Sequence, residues 1–170
     1  MQMVLVSSCL MGEKVRYDGG TKSLLDPILA AWQAEGRLLW VCPEVAGGLG
    51  TPRPPAEIAG GTGESVLLGH AKVRTNTGED VTAQFLRGAH AALALARNRG
   101  ARIAILKARS PSCGNEQIYD GTHSHTVIAG EGTTAALLKR EGVRVFHEGQ
   151  LREAAEHLAQ LEALDPRRTR

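Results

Sequence analysis

Three cysteines, Cys9, Cys42 and Cys113, carry the strongest chemical signal in this chain. They lie in "SSCLMG", "CPEVAGG" and "SPSCGN", separated by 32 and 70 residues. Small and turn-forming neighbours leave room for a ligand and free backbone N–H groups to bond sulfur. Neither C-x-x-C nor a ferredoxin spacing is present, so local spacing alone does not choose among several chemistries. Structural zinc closes four positions, whereas catalytic zinc keeps three protein ligands and one open site. A [4Fe–4S] cube normally takes four thiolates; with three, one iron keeps an open position that can act on substrate as a Lewis acid. Cys113 alone as a nucleophile in acyl or sulfur transfer is a third reading. Buried packing, common for free cysteine, is a fourth.

The elements that must position these thiols alternate between strand and helix. Met3–Ser7 ("MVLVS"), Arg37–Cys42 ("RLLWVC"), the run "RIAIL" and Val143–Phe146 ("VRVF") read as buried strands. Helices are expected over Ser23–Gln33, with Pro27 near the first turn, over "DVTAQFLRGAHAALALARNRG" and over "TTAALLKREG". A last helix, "GQLREAAEHLAQLEAL", carries Leu151, Ala155, Leu158 and Leu161 on one stripe. In the longest helix Val81, Phe85, Ala89, Leu93 and Ala96 form one face, which Gly100 ends. Pro43–Gly63 is too rich in Gly and Pro to hold a regular element for long, and Glu64–Thr75 reads as a small hairpin turning at Gly69-His70. The fold expected is α/β and Rossmann-like: a mostly parallel sheet with helices on both faces and a small hairpin insertion. In such a sheet ligands bind beyond the carboxyl ends of the strands. Cys9 follows the first strand, Cys42 ends the second and Cys113 lies shortly past the third, so all three thiols fall at that edge.

Composition narrows the function classes. The chain has 170 residues, 42% hydrophobic and 22% charged, with a net charge of +2. That suits one domain over 1–164, ending in a disordered basic tail over 165–170 ("DPRRTR"). So small an excess of positive charge gives no support for a long nucleic acid partner. No apolar stretch approaches the roughly 20 residues of a membrane span, and the start lacks a basic leader. With an odd number of cysteines, these features place the chain in a reducing compartment, the cytoplasm. "GGTGES" lacks the Lys-Ser/Thr ending of a phosphate loop.

Five segments, "VSSCLMGEKVRYDGG", "CPEVAGGLGTPRPPAEI", "AILKARSPSCG", "IYDGT" and "TTAALLKREGVRVF", together resemble the thiouracil desulfidases. These are the characterised members of a bacterial family long catalogued as a domain of unknown function. The resemblance spans nearly all of residues 3–147, with the motifs in order. It implies a Rossmann-like module whose Cys9, Cys42 and Cys113 bind a [4Fe–4S] cluster. The unligated iron of that cluster would take the sulfur of a thiolated uracil and release it as hydrosulfide without net redox change. It also implies catalytic roles for Glu44, two residues after the second cysteine, and for Ser110, three before the third.

Each of these residues also has a structural reading. Glu44 can be a general acid/base if its pKa is raised, or a solvated or ion-paired turn carboxylate. Ser110 can relay a proton or cap the turn before Pro111, and Ser112 competes for either role. In the first loop Arg16, Tyr17 and Asp18 are candidate substrate contacts. Tyr17 can stack on a base, and Asp18 suits an Asx turn equally well. Lys107 and Arg109 either offset cluster charge or form a solvated pair. His123 and His125 share a face if "THSHT" is extended, with no carboxylate in evidence to support them. His123 also stands where the family typically has an aromatic residue. The expected partner is a small thiolated nucleobase. Two rival readings remain: a transferase or hydrolase using Cys113 as nucleophile, and a non-catalytic module that senses a cluster or nucleobase.

Overall fold

The computed structural model describes residues 1–165; the basic tail expected from residue 165 onward therefore lies, but for Asp165, outside the described residues. The central sheet is built from β1 (Val4–Ser7), β2 (Leu38–Val41), β5 (Ile103–Leu106) and β8 (Arg144–His147), all parallel in the order β2-β1-β5-β8. Period-two alternation sends successive side chains to opposite faces. Val4, Val6, Ile103, Ile105 and Phe146 pack beneath α1 (Pro27–Ala34) and α6 (Leu151–Ala163), against Leu29, Trp32 and Leu158. Leu5, Ala104, Leu106 and Val145 face α4 (Thr82–Arg99) and α5 (Thr133–Arg140) through Ala89, Leu93, Leu137 and Leu138. Both faces are covered, which is why the central strands β1 and β5 are buried along their whole length, whereas the edge strands β2 and β8 expose Trp40 and Arg144.

Helix boundaries follow local chemistry. α1 starts at Pro27, four residues later than the sequence suggested, because Asp26 caps it and accepts the Ile28 N–H at 2.7 Å. α4 ends at Gly100, whose left-handed φ of 69° closes the last turn, and its expected buried face is buried throughout.

The region between β2 and α4 departs from expectation. Pro43–Ala46 forms a one-turn helix, α2. The expected hairpin over Glu64–Thr75 is not formed; α3 (Gly63–Leu67) precedes β4 (Lys72–Thr75), and β4 pairs antiparallel with β3 (Ala56–Ala59). Ser65 Oγ accepts the Thr62 N–H at 3.1 Å, a helix-start interaction that outweighs the β-branched Val66. A second hairpin, β6 (Gln117–Tyr119) with β7 (Val127–Ala129), had no counterpart in the sequence reading. Its connecting loop holds His123 and His125 at φ 56° and 61°, so "THSHT" is a tight left-handed loop and not an extended segment. Among the described residues, no helix is long and apolar enough to cross a membrane.

Candidate active site

The order in which the chain adds strands reverses between β1 and β5, with β2 beyond β1 on one side and β8 beyond β5 on the other. The three thiols emerge around this switch point, each on its own short connection. Together they line one cavity of about 400 Å³.

Cys9 lies in a 3-10 turn, Ser8–Met11, that continues β1 and closes at Gly12, whose φ is 96°. The returning loop is tied to it: the Cys9 carbonyl accepts the Lys22 N–H at 3.0 Å and the Thr21 hydroxyl at 2.8 Å. Cys42 caps α2, and its Sγ lies 3.8 Å from the Val15 carbonyl oxygen. α2 is pressed directly onto α4 at two glycines: a Cβ on Gly47 would lie 1.9 Å from the Gln84 carbonyl oxygen, and one on Gly88 1.9 Å from that of Pro43. Cys113 ends a turn built on Ser110, whose Oγ accepts the N–H groups of Ser112 at 3.1 Å and Cys113 at 3.0 Å. α5 holds this turn from below through Thr133 N–H to Pro111 O and Thr134 N–H to Ser112 O, each 2.9 Å.

Burial pushes the Cys9 thiol up to about 11, and the nearby Cys42 adds to the shift. Burial likewise pushes Cys113 up to about 12, against the hydrogen bond from Ser7, and raises Cys42. In both Cys9 and Cys113 a neighbouring cysteine disfavours ionisation, so the three sulfurs are close enough to act on one another. Such a trio is stable as neutral thiols, or as thiolates once a cation neutralises them. Among the described residues, no three His, Cys, Asp or Glu side chains group tightly enough for a single metal ion. Three soft donors spread over one cavity wall, unlinked by disulfides, fit ligands to separate atoms of a larger thiophilic centre.

Glu44 follows Cys42 in the first turn of α2 and lines the same cavity. Its Oε1 accepts from Arg53 Nε at 3.1 Å. Burial raises the Glu44 pKa although Arg53 pulls the other way. Arg53, only 7% exposed in its side chain, also donates to the carbonyls of Val15 at 2.9 Å and Gly50 at 3.0 Å. Its own N–H reaches Tyr17 O at 2.7 Å. One side chain thus ties the first loop, the connection after β2 and the carboxylate together. The sequence reading missed it, although it sits in the quoted motif "CPEVAGGLGTPRPPAEI", an arginine set among three prolines.

The remaining candidates divide. Arg16 and Tyr17 line the cavity, with the Arg16 guanidinium 5.7 Å from the Tyr17 ring centre. Ser110 lines it too, and because its oxygen accepts two N–H groups its own proton is free to point inward. Asp18 does not line it: its carboxylate accepts the Gly20 N–H at 2.8 Å, closing an Asx turn at the surface. Ser112 is fully buried and shares a 2.9 Å hydrogen bond with Thr134, which places it in the packing under the turn and away from the cavity. Lys107 reaches the cavity and pairs with Glu148 at 2.5 Å, while Arg109 lines it from an exposed left-handed position. His123 has a carboxylate after all, Glu57 at 3.5 Å, and Glu57 Oε1 also accepts the Gly121 and His123 N–H groups. His125 faces the cavity edge-on to Tyr119, their ring centres 6.3 Å apart.

Comparison with known proteins agrees with this geometry. A family described as 2-thiouracil desulfurase matches residues 4–150. The uncharacterized protein YbbK of Bacillus subtilis (strain 168) is 48% identical over 155 residues, covering 88% of this chain and 97% of YbbK. Among solved structures, the [4Fe-4S]-dependent thiouracil desulfidase TudS superposes with a TM-score of 0.86 at 50% identity, over 94% of this chain and 99% of TudS. The chain belongs to the 2-thiouracil desulfurase family.

Proposed function

We propose that this chain, acting as a single domain over 1–164, desulfurises a thiolated uracil or a related thiolated nucleobase. Cys9, Cys42 and Cys113 would hold a [4Fe-4S] cluster. The observation that carries this is the convergence of three thiols, distant in sequence, on one cavity at the switch point of the sheet. The name of TudS, which matches nearly end to end, supports the same cofactor and substrate class. When bound, the cluster supplies a thiophilic iron with an open coordination position for the substrate sulfur.

The net change replaces C=S by C=O. Water supplies the oxygen, the C–S bond breaks with its electron pair leaving on sulfur, and hydrosulfide departs with no electron gained or lost. The chain's own residues manage protons and position. Glu44, raised in pKa and bonded to Arg53 through Oε1, leaves Oε2 to take a proton from water and return it later. Ser110 is held by two N–H groups so that its hydroxyl can donate to the heterocycle. Arg16 and Tyr17 contribute a cationic and aromatic wall suited to a planar, polar ring.

Anaerobic reconstitution, followed by iron and sulfide analysis and a hydrosulfide-release assay with 2- and 4-thiouracil, tests this reading. A wild-type protein that stays colourless and iron-free overturns it. Serine substitutions at Cys9, Cys42 and Cys113 should fail together. If only the Cys113 substitution abolishes activity, Cys113 is a lone nucleophile. Burial of that thiol, with its pKa near 12, argues against this outcome. Base binding without hydrosulfide release would mark a sensing module instead.

A further inference from the structure

Ser7, the last residue of β1, is 2% exposed and lines the cavity, and neither motif nor spacing gave it a role. Its Oγ accepts the Lys107 N–H at 3.0 Å and donates to Cys113 Sγ at 3.5 Å. The backbone pairing of β1 with β5 runs only as far as Val6 opposite Ile105. The strands part there, and the Ser7 hydroxyl takes up the amide that the ladder leaves behind. A serine hydroxyl has one proton and two lone pairs; with one lone pair engaged by Lys107, the geometry directs the proton at the Cys113 sulfur.

We propose that Ser7 is a positioning residue that fixes the Cys113 sulfur and tunes the cluster through an O–H···S hydrogen bond, an inference that rests on the cluster reading above. Hydrogen bonds to coordinating sulfur are among the protein's levers on a cluster, and outer partners of a ligand set its orientation. The bond strengthens when sulfur carries charge, so it matters most once Cys113 is a ligand. By drawing electron density from that sulfur it favours the more electron-rich state of the cluster, which raises the reduction potential. It also leaves the open iron a better acceptor for substrate sulfur.

The test compares wild type with Ser7→Thr, which keeps the hydroxyl, and Ser7→Val, which matches the threonine variant in shape but has a methyl in place of its hydroxyl. Ser7→Ala serves as a second variant lacking the donor. Each is reconstituted anaerobically and measured for iron content, cluster midpoint potential and kcat for hydrosulfide release. Amide exchange of Lys107 in the iron-free chain reports the bridge itself. Expected are a Thr variant close to wild type, and Val and Ala variants with a more negative potential, a several-fold lower kcat and faster Lys107 exchange. Iron in every variant with an unmoved potential overturns the proposal while leaving the cluster reading intact. So does an unprotected Lys107 amide in wild type. Absence of iron from wild type overturns both.

Discussion

Replacing Gly88 by alanine would place a methyl carbon 1.9 Å from the carbonyl oxygen of Pro43 and 2.6 Å from its carbon. The contact must open by more than about 1 Å to reach the roughly 3.3 Å of an ordinary C–H···O approach. The obstructing atoms are backbone, so no side-chain rotation relieves them; α2 must move as a unit. Overpacking of this kind costs about 3 kcal/mol, from which the better helix propensity of alanine recovers about 1 kcal/mol. A net loss of about 2 kcal/mol corresponds to a melting temperature lower by roughly 4–8 °C for a chain of this size. The functional loss should exceed the thermal one, since α2 carries both Cys42 and Glu44. Misplacing reacting groups by about 1 Å costs on the order of a hundredfold in rate. Calorimetry, iron analysis after anaerobic reconstitution and hydrosulfide release measure the three effects. A Gly88→Ala protein that melts at or above the wild-type temperature and takes up its full iron complement would refute the reasoning.

Three other perturbations give separate readings. Arg53→Met leaves Glu44 buried without its cation; a loss of about 3 kcal/mol in urea unfolding is expected, with hydrosulfide release falling more than tenfold. Burial places Cys9 and Cys113 well above the value of about 8.5 that unfolded thiols have, so above pH 9 the unfolded chain releases protons that the folded one retains. Stability of the iron-free protein is therefore flat below about pH 8, then falls through pH 9–11 by on the order of 1 kcal/mol per unit for each buried thiol. A urea midpoint independent of pH over that window contradicts the burial argument. Glu57→Ala frees the Gly121–His125 loop from its shared acceptor. KM for the thiolated base should rise about tenfold while iron content holds; a loss of iron instead would place Glu57 in the cluster's own support.

The sequence was informative where one interaction dominates and is local. β1 and β5 are buried along their length because both faces of the sheet are covered, and α4 shows its face because eighteen residues repeat the same period. The edge that holds the thiols followed from where those strands end. What escaped was set by partners far along the chain. α2 is a single turn whose survival depends on two glycines meeting across it and α4. α3 carries Val66 and Leu67, which suit a strand equally well; the Thr62–Ser65 interaction and the bond from Gly63 N–H to Glu131 O favour the helix. Arg53 owes its place to Val15 and Glu44, thirty-eight residues upstream and nine respectively, and no periodicity announces such a bond. Ser112 and Ser110 are indistinguishable in "SPSC"; the difference is that α5 lies beneath one of them.

The thiols are therefore held by devices independent of each other. Cys9 rests on the Thr21 and Lys22 bonds, Cys42 on the glycine contact with α4, and Cys113 on Ser110, Ser7 and the start of α5. Apart from the Ser7 bond, all of them engage backbone atoms and spare the sulfurs, which suits a wall ordered by the chain itself. Ordering a loop costs about 1–2 kcal/mol of backbone entropy per residue, and a site that waited for its metal would spend binding energy on that order. A preformed wall leaves the binding energy to displace protons from thiols that burial has made reluctant to ionise. Ser7 and Arg53 then have related tasks, each acting through a residue that lines the cavity. One directs a proton at the sulfur of Cys113, proposed above as a ligand, and the other holds a guanidinium against Glu44, the carboxylate proposed to handle water.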